Sequence, residues 1–185
     1  MNYGEIKACD IANGEGIRVS LFVSGCRNRC KGCFNAQTWD FAFGERFDAA
    51  AKQRLLSYLA PAYITGLSVL GGEPFEPENQ RELLPLLREV KKLYPKKDIW
   101  AYTGCVLETD ILQGRAHCAQ TDEILRLIDV LVDGPFVMEL KNISLRYRGS
   151  GNQRIIDMPK TLETGAVVPW RERERAVESN SAAKR

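Results

Sequence analysis

Histidine is almost absent: His117 is the only one in 185 residues, and outside one cluster the cysteines Cys9, Cys105 and Cys118 stand alone. A closed structural zinc site takes four Cys or His ligands, and no fourth ligand lies near the cluster in sequence. No apolar run is long enough to span a bilayer, and the N-terminus has no signal-peptide core. A soluble, cytoplasmic protein with no membrane partner is expected. Surplus charge is equally scarce. The formal net charge is +2, and residues 171–185, with five basic and three acidic side chains, account for all of it. Nucleic-acid binding needs a concentrated basic surface. The only basic runs, such as Lys91-Lys92 and Lys96-Lys97, suit solvated helix faces, so no nucleic-acid partner is expected. Clustered cysteines without a secretion signal argue for a reducing compartment and a metal rather than a disulfide framework.

What is present is Cys26-Arg27-Asn28-Arg29-Cys30-Lys31-Gly32-Cys33, three cysteines spaced C-x3-C-x2-C after an apolar strand-like run. Thiolates are soft ligands that suit iron–sulfur clusters or zinc. A cluster held by Cys26, Cys30 and Cys33 alone leaves one iron with an open position, and an open position makes a metal site catalytic rather than structural. A zinc-stabilised binding module is the alternative outside enzymology.

At 185 residues, 44% hydrophobic and 27% charged, the chain has room for one globular domain. A short strand is expected over Glu5–Ile11, then a turn at Asn13-Gly14-Glu15-Gly16. A strand follows over Ile17–Val23 with Ile17, Val19, Leu21 and Val23 on one face. Asp48 caps a helix from Ala50 to about Leu59. Gly66–Leu70 is a strand ending in Gly71-Gly72-Glu73-Pro74, where glycines permit close approach of a ligand and Glu73 can receive a cationic amine. Pro77–Tyr94 reads as a helix that kinks or starts late because of Pro85, since an internal proline costs about 3 kcal/mol. Asp98–Thr103 and Asp129–Val132 are further strands, with a helix beginning at Thr121 between them. Cys105 reads as a buried inert thiol. Strands alternating with helices imply an α/β fold with a mainly parallel sheet. A closed eight-stranded barrel needs at least about 200 residues, so a partial, open (β/α) barrel is expected, with its site at the C-terminal ends of the strands.

The triplet in its loop after a strand resembles the signature of the radical S-adenosylmethionine (SAM) enzymes, and Gly71-Gly72-Glu73-Pro74 resembles that family's second motif. The resemblance implies a 4Fe-4S cluster on Cys26, Cys30 and Cys33 and SAM bound at its open iron. It further implies adenine against Gly32, Cys33 and Phe34, and the methionyl amino group against Gly71, Gly72 and Glu73. The Asn13–Gly16 turn would help cover the site. Glycine at position 32 departs from the aromatic residue common in the superfamily. Lys31-Gly32-Cys33-Phe34-Asn35, Asp129–Phe136, Leu140-Lys141-Asn142 and Arg146–Ile156 instead resemble the activases of anaerobic ribonucleoside-triphosphate reductase. That likeness implies a reduced flavodoxin-like electron donor and a glycyl-radical subunit as the protein substrate. The alternatives are activation of another glycyl-radical enzyme or a small-molecule substrate. The expected organisation is a radical SAM domain over 1–157, a C-terminal extension over 158–170, and a disordered charged tail over 171–185.

Overall fold

The computed structural model describes residues 1–172. The elements run β1 (Asn2–Asp10), β2 (Ile17–Val23), β3 (Glu45–Arg46), α1 (Ala49–Leu59), β4 (Ile64–Gly71), α2 (Pro77–Leu93), β5 (Asp98–Tyr102), α3 (Thr121–Leu127), β6 (Val130–Asp133), β7 (Arg154–Asp157) and α4 (Met158–Thr164). They form one sheet ordered β3-β1-β2-β4-β5-β6-β7. Its edges do not meet, so the sheet is open. The β2–β4, β4–β5 and β5–β6 pairings are parallel. The β1–β2, β1–β3 and β6–β7 pairings are antiparallel, which makes the sheet mixed rather than mainly parallel. The antiparallel strands arise where the chain folds back without a helix, through the turn at Asn13–Gly16 and through β7 after a long loop.

Each parallel neighbour is reached through a helix, and right-handed crossovers in one direction put all three helices on one face. That face is the main core. Val19, Leu21 and Val23 of β2, Leu67 and Val69 of β4, and Ile99 and Ala101 of β5 pack with Leu55 and Leu59 of α1, Leu86 and Leu87 of α2, and Leu125 of α3. Asp48 caps α1, its carboxylate accepting from Ala51 N at 2.8 Å. Of the kink or late start expected at Pro85, the late start does not occur: α2 is assigned continuously from Pro77 to Leu93 with Pro85 inside it. Its Leu83, Leu86, Leu87 and Val90 are each at most 3% exposed. Burial at about 1.5–3 kcal/mol per large aliphatic side chain outweighs the proline cost.

The opposite face is polar and aromatic. Arg18 of β2 is fully buried. It donates to Ser68 Oγ at 2.7 Å and Leu67 O at 2.8 Å, pairs with Asp98 at 2.6 Å, and lies 5.3 Å from the Trp100 ring. One guanidinium thus joins β2, β4 and β5. Asp10 accepts from Ser20, Asn13 and Ala12 N. Burial alone would raise its pKa, but these hydrogen bonds hold it below the usual carboxylate value. Trp100, Val130 and Val132 form a second cluster with Tyr102, Tyr147, Ile155 and Trp170 packed against it. Beyond Glu172 the expected disordered tail lies outside the described residues.

Arg18→Met leaves the Asp98 carboxylate without its buried cation. It is expected to lower the unfolding free energy by about 3 kcal/mol, read from anaerobic urea denaturation beside wild type.

Candidate functional site

The four parallel strands end at Val23, Gly71, Tyr102 and Asp133, and the loops that leave them enclose one cleft of about 580 Å³. Cys26, Cys30 and Cys33 line it, together with Gly32, Phe34, Gly71 and Gly72. The structure therefore brings together every site residue expected from the sequence except the side chain of Glu73, which is not part of the lining. A site at the carboxyl ends of parallel strands is where α/β folds bind ligands.

The cysteine loop is held from several sides. Gly25 N donates to Thr38 O at 2.8 Å and Cys26 N to Trp39 O at 3.1 Å. From the neighbouring loop, Gly72 N donates to Val23 O at 2.7 Å and Glu73 N to Gly25 O at 2.8 Å. A Cβ at Gly72 would stand 2.6 Å from Gly25 O, so only glycine allows this approach. Gly32, with φ 72°, turns the loop between Cys30 and Cys33. Arg27 anchors the outer side: its backbone N–H donates to Glu76 at 2.8 Å, its guanidinium pairs with Glu78 at 2.6 Å, and it lies 4.5 Å from the Phe41 ring. The hydrogen bond from Arg27 pulls Glu78 down to about 2.

Glu73 is 1% exposed. Its carboxylate accepts from Phe75 N at 2.9 Å, Thr103 Oγ1 at 2.7 Å, Asn28 Nδ2 at 2.8 Å and Gly104 N at 2.9 Å. Burial raises its pKa against these bonds. The residues that meet it, Asn28, Thr103 and Gly104, line the cleft instead. Asn28, lying between two of the cysteines, thus ties their loop to the end of β5. Burial, and next the Glu73 charge, push the Cys26 thiol up to about 11. It therefore carries its proton at neutral pH unless a thiophilic metal displaces it. Cys105 lies behind Glu73, fully buried and pushed up to about 12, as an inert thiol requires. Asn13 lines the cleft, whereas Glu15 and Gly16 border a groove at the opposite end of the parallel strands, beside Ile64 and Asp98, so only the first residue of that turn reaches the site.

Among the described residues, no three His, Cys, Asp or Glu side chains converge as ligands of a single ion would. The donor set is three thiols of one loop on the wall of one cleft, which suits an iron–sulfur cluster with an open position. The cleft also holds two orphans: Trp39 Nε1 and Tyr102 Oη are buried without a hydrogen-bond partner among the described residues. Leaving each unsatisfied costs about 1–3 kcal/mol. Neither residue was singled out from the sequence. Tyr102 stands last in a parallel strand, a position that could have flagged it, whereas nothing local marks Trp39.

A family model described as a 4Fe-4S single cluster domain matches residues 12–156. The anaerobic ribonucleoside-triphosphate reductase-activating protein of Haemophilus influenzae is 43% identical over 157 residues, 84% of this chain and 97% of that protein. Its namesakes in phage T4 and Escherichia coli K12 are 42% and 41% identical, covering 84% and 83% of this chain and 93% and 96% of their own. The chain belongs to this family of reductase-activating proteins. The 4Fe-4S match spans all three cysteines and the whole cleft lining, from Ala12 to Gln153.

Asn28→Ala removes the tie between the cysteine loop and Glu73. Such supporting contacts are worth about 10–100-fold in metal affinity, and a loss in this range is expected when the anaerobic apoprotein is titrated with iron in the presence of sulfide. Glu73→Gln, which keeps its size but turns an acceptor into a donor facing Gly104 N, is expected to act in the same direction.

Proposed function

We propose that this chain activates an anaerobic ribonucleoside-triphosphate reductase by radical SAM chemistry. The observation that carries the reading is the convergence of Cys26, Cys30 and Cys33 with the Gly71-Gly72 backbone on one cleft, in a chain matched by a 4Fe-4S family over most of its length. Cys26, Cys30 and Cys33 would hold a 4Fe-4S cluster, and the open sheet would be the partial barrel of the radical SAM type. Once bound there, the cluster would supply one electron, received from a flavodoxin-like donor, for cleavage of SAM to methionine and a 5′-deoxyadenosyl radical, which would take a hydrogen atom from a glycine of the reductase to give 5′-deoxyadenosine and a glycyl radical.

The residues of the chain bind, orient and exclude water. Gly71 and Gly72 offer bare backbone to the methionyl end of SAM, while Gly32, Cys33 and Phe34 bound its adenine end. The exposed Phe34 ring, 85% accessible, becomes covered in doing so. Glu73 contributes to this site by fixing the cysteine loop through Asn28 and the β5 end through Thr103 and Gly104. The orphaned Tyr102 hydroxyl and Trp39 indole supply the donors that a polar ligand would satisfy. Burial pushes the Tyr102 phenol up, so it stays neutral and able to donate. Among the described residues no helix is long and apolar enough to cross a membrane.

Anaerobic reconstitution with iron and sulfide, reduction, and quantification of 5′-deoxyadenosine after adding SAM test the proposal. Cys30→Ala is expected to lower cleavage by at least about 100-fold, the upper end of what loss of a mere supporting contact costs. With the reductase present, wild type alone is expected to give the electron-paramagnetic doublet of a glycyl radical. Equal cleavage by Cys30→Ala, or cleavage with no radical on the reductase, contradicts the cluster and the partner respectively.

A further inference from the structure

The segment after β7 lies outside the 4Fe-4S family match, which ends at residue 156, and the function proposed above leaves it without a role. It is nonetheless packed into the molecule. α4 begins at Met158, fully buried in the helix-side core, and ends at Thr164, capped by Gly165. The chain then returns along β7. Asp157 N donates to Val168 O and Trp170 N to Ile155 O, both at 2.9 Å, with Pro169 bridging Ile156 antiparallel. Because β7 itself runs antiparallel to β6, residues 168–170 run parallel to β6 and head for the cleft end of the sheet.

There Trp170 meets Trp100 edge to face at 4.9 Å and Tyr147 at 6.2 Å, and Tyr147 meets Trp100 at 5.3 Å. Glu172 accepts from Arg146 at 2.6 Å. Tyr147 has φ 59°, a left-handed conformation that a non-glycine residue keeps only when its surroundings hold it. Trp170 and Trp100 are those surroundings. The loop they hold, closed by the Lys141–Ser150 bridge, contributes Lys141, Ile143, Tyr147 and Arg148 to the cleft wall.

At the cleft mouth this loop is unusual for a surface. Ile143 is 92% exposed and neighbouring Leu140 is 48% exposed. Lys141, between them in sequence, and Arg148 of the same loop make no ion pair among the described residues. Large exposed apolar side chains beside unpaired cations mark an interaction site, and complementarity calls for a partner with apolar and acidic groups. We propose that loop 141–150 is the docking surface for a protein segment that offers an apolar side chain flanked by acidic residues, and that the C-terminal extension pre-positions this loop through Trp170. The identity of the partner rests on the reductase-activating reading; the clamp does not. Holding the loop in its bound conformation removes an ordering cost that association would otherwise bear.

The test uses the full chain, reconstituted anaerobically, as wild type, Trp170→Leu, Trp170→Phe and Ile143→Asp. Hydrogen exchange reads the loop, and biolayer interferometry against immobilised anaerobic ribonucleoside-triphosphate reductase from the same source reads docking. Trp170→Leu keeps the apolar bulk and the fold but loses the edge-to-face contacts. It is expected to speed exchange over 141–150 while α1–α3 stay protected, and to weaken binding at least about tenfold, with Trp170→Phe restoring both. Ile143→Asp, at a position too exposed to disturb folding, is expected to weaken binding similarly with exchange unchanged. Unaltered exchange in Trp170→Leu overturns the clamp. Binding by Ile143→Asp within about twofold of wild type, the range of neutral surface changes, overturns the docking surface. Failure of wild type itself to bind the reductase contradicts the choice of partner and leaves the clamp to be decided by exchange alone.

Discussion

The site depends on one buried carboxylate. Glu73 is 1% exposed and accepts from its own turn, from the cysteine loop and from the end of β5. A carboxylate out of water is tolerated only with its acceptor positions filled. The ends of β2, β4 and β5 therefore cannot drift apart without stranding it. The glycines beside it make the arrangement possible: Gly72 lets the two loops touch, with Gly25 O 2.6 Å from where a Cβ would stand. A loop carrying three thiols is otherwise free to spread them. Here Asn28 fastens it between Cys26 and Cys30.

The two faces of the sheet divide the labour. The helix face is close-packed and apolar and supplies stability. The other face carries Arg18, Asp10, Tyr102 and the aromatic group of Trp100, Tyr147 and Trp170 beneath the cleft. A buried guanidinium on β2 with hydrogen bonds to β4 and a carboxylate partner on β5 fixes register as well as adding stability. Polar groups on this face lead directly to the cleft, where Asn13 and Tyr102 are shared by both. The C-terminal extension completes that face from the sheet edge.

Much of this was legible in the chain because local signals and long-range packing agree. Ile17–Val23 forms a strand with the bounds its alternation suggests, and Asp48 caps α1 as its position before an apolar-periodic segment implies. The cysteine spacing and the Gly-Gly-Glu-Pro turn locate the cleft. What local signals could not carry is how segments far apart in sequence meet. Glu73 reads as a ligand for a free amine, yet its partners are Asn28 and Thr103, 45 and 30 residues away. β3, two residues long, exists only because β1 offers an edge. The strand-like return at Val168–Trp170 contains a proline and depends on the exposed edge of β7. Pro85 inside α2 shows the reverse case, a strong local signal overruled by burial on both sides of it.

Mössbauer spectroscopy of the anaerobically reconstituted protein, prepared with isotopically enriched iron and recorded before and after adding SAM, tests three-cysteine ligation most directly. With Cys26, Cys30 and Cys33 as the ligands, one iron of the 4Fe-4S cluster is distinct and it alone shifts on adding SAM, as its open position fills with nitrogen and oxygen donors. Four equivalent irons that SAM leaves unchanged would mean a fully ligated cluster and would contradict the reading of this cleft as a radical SAM site.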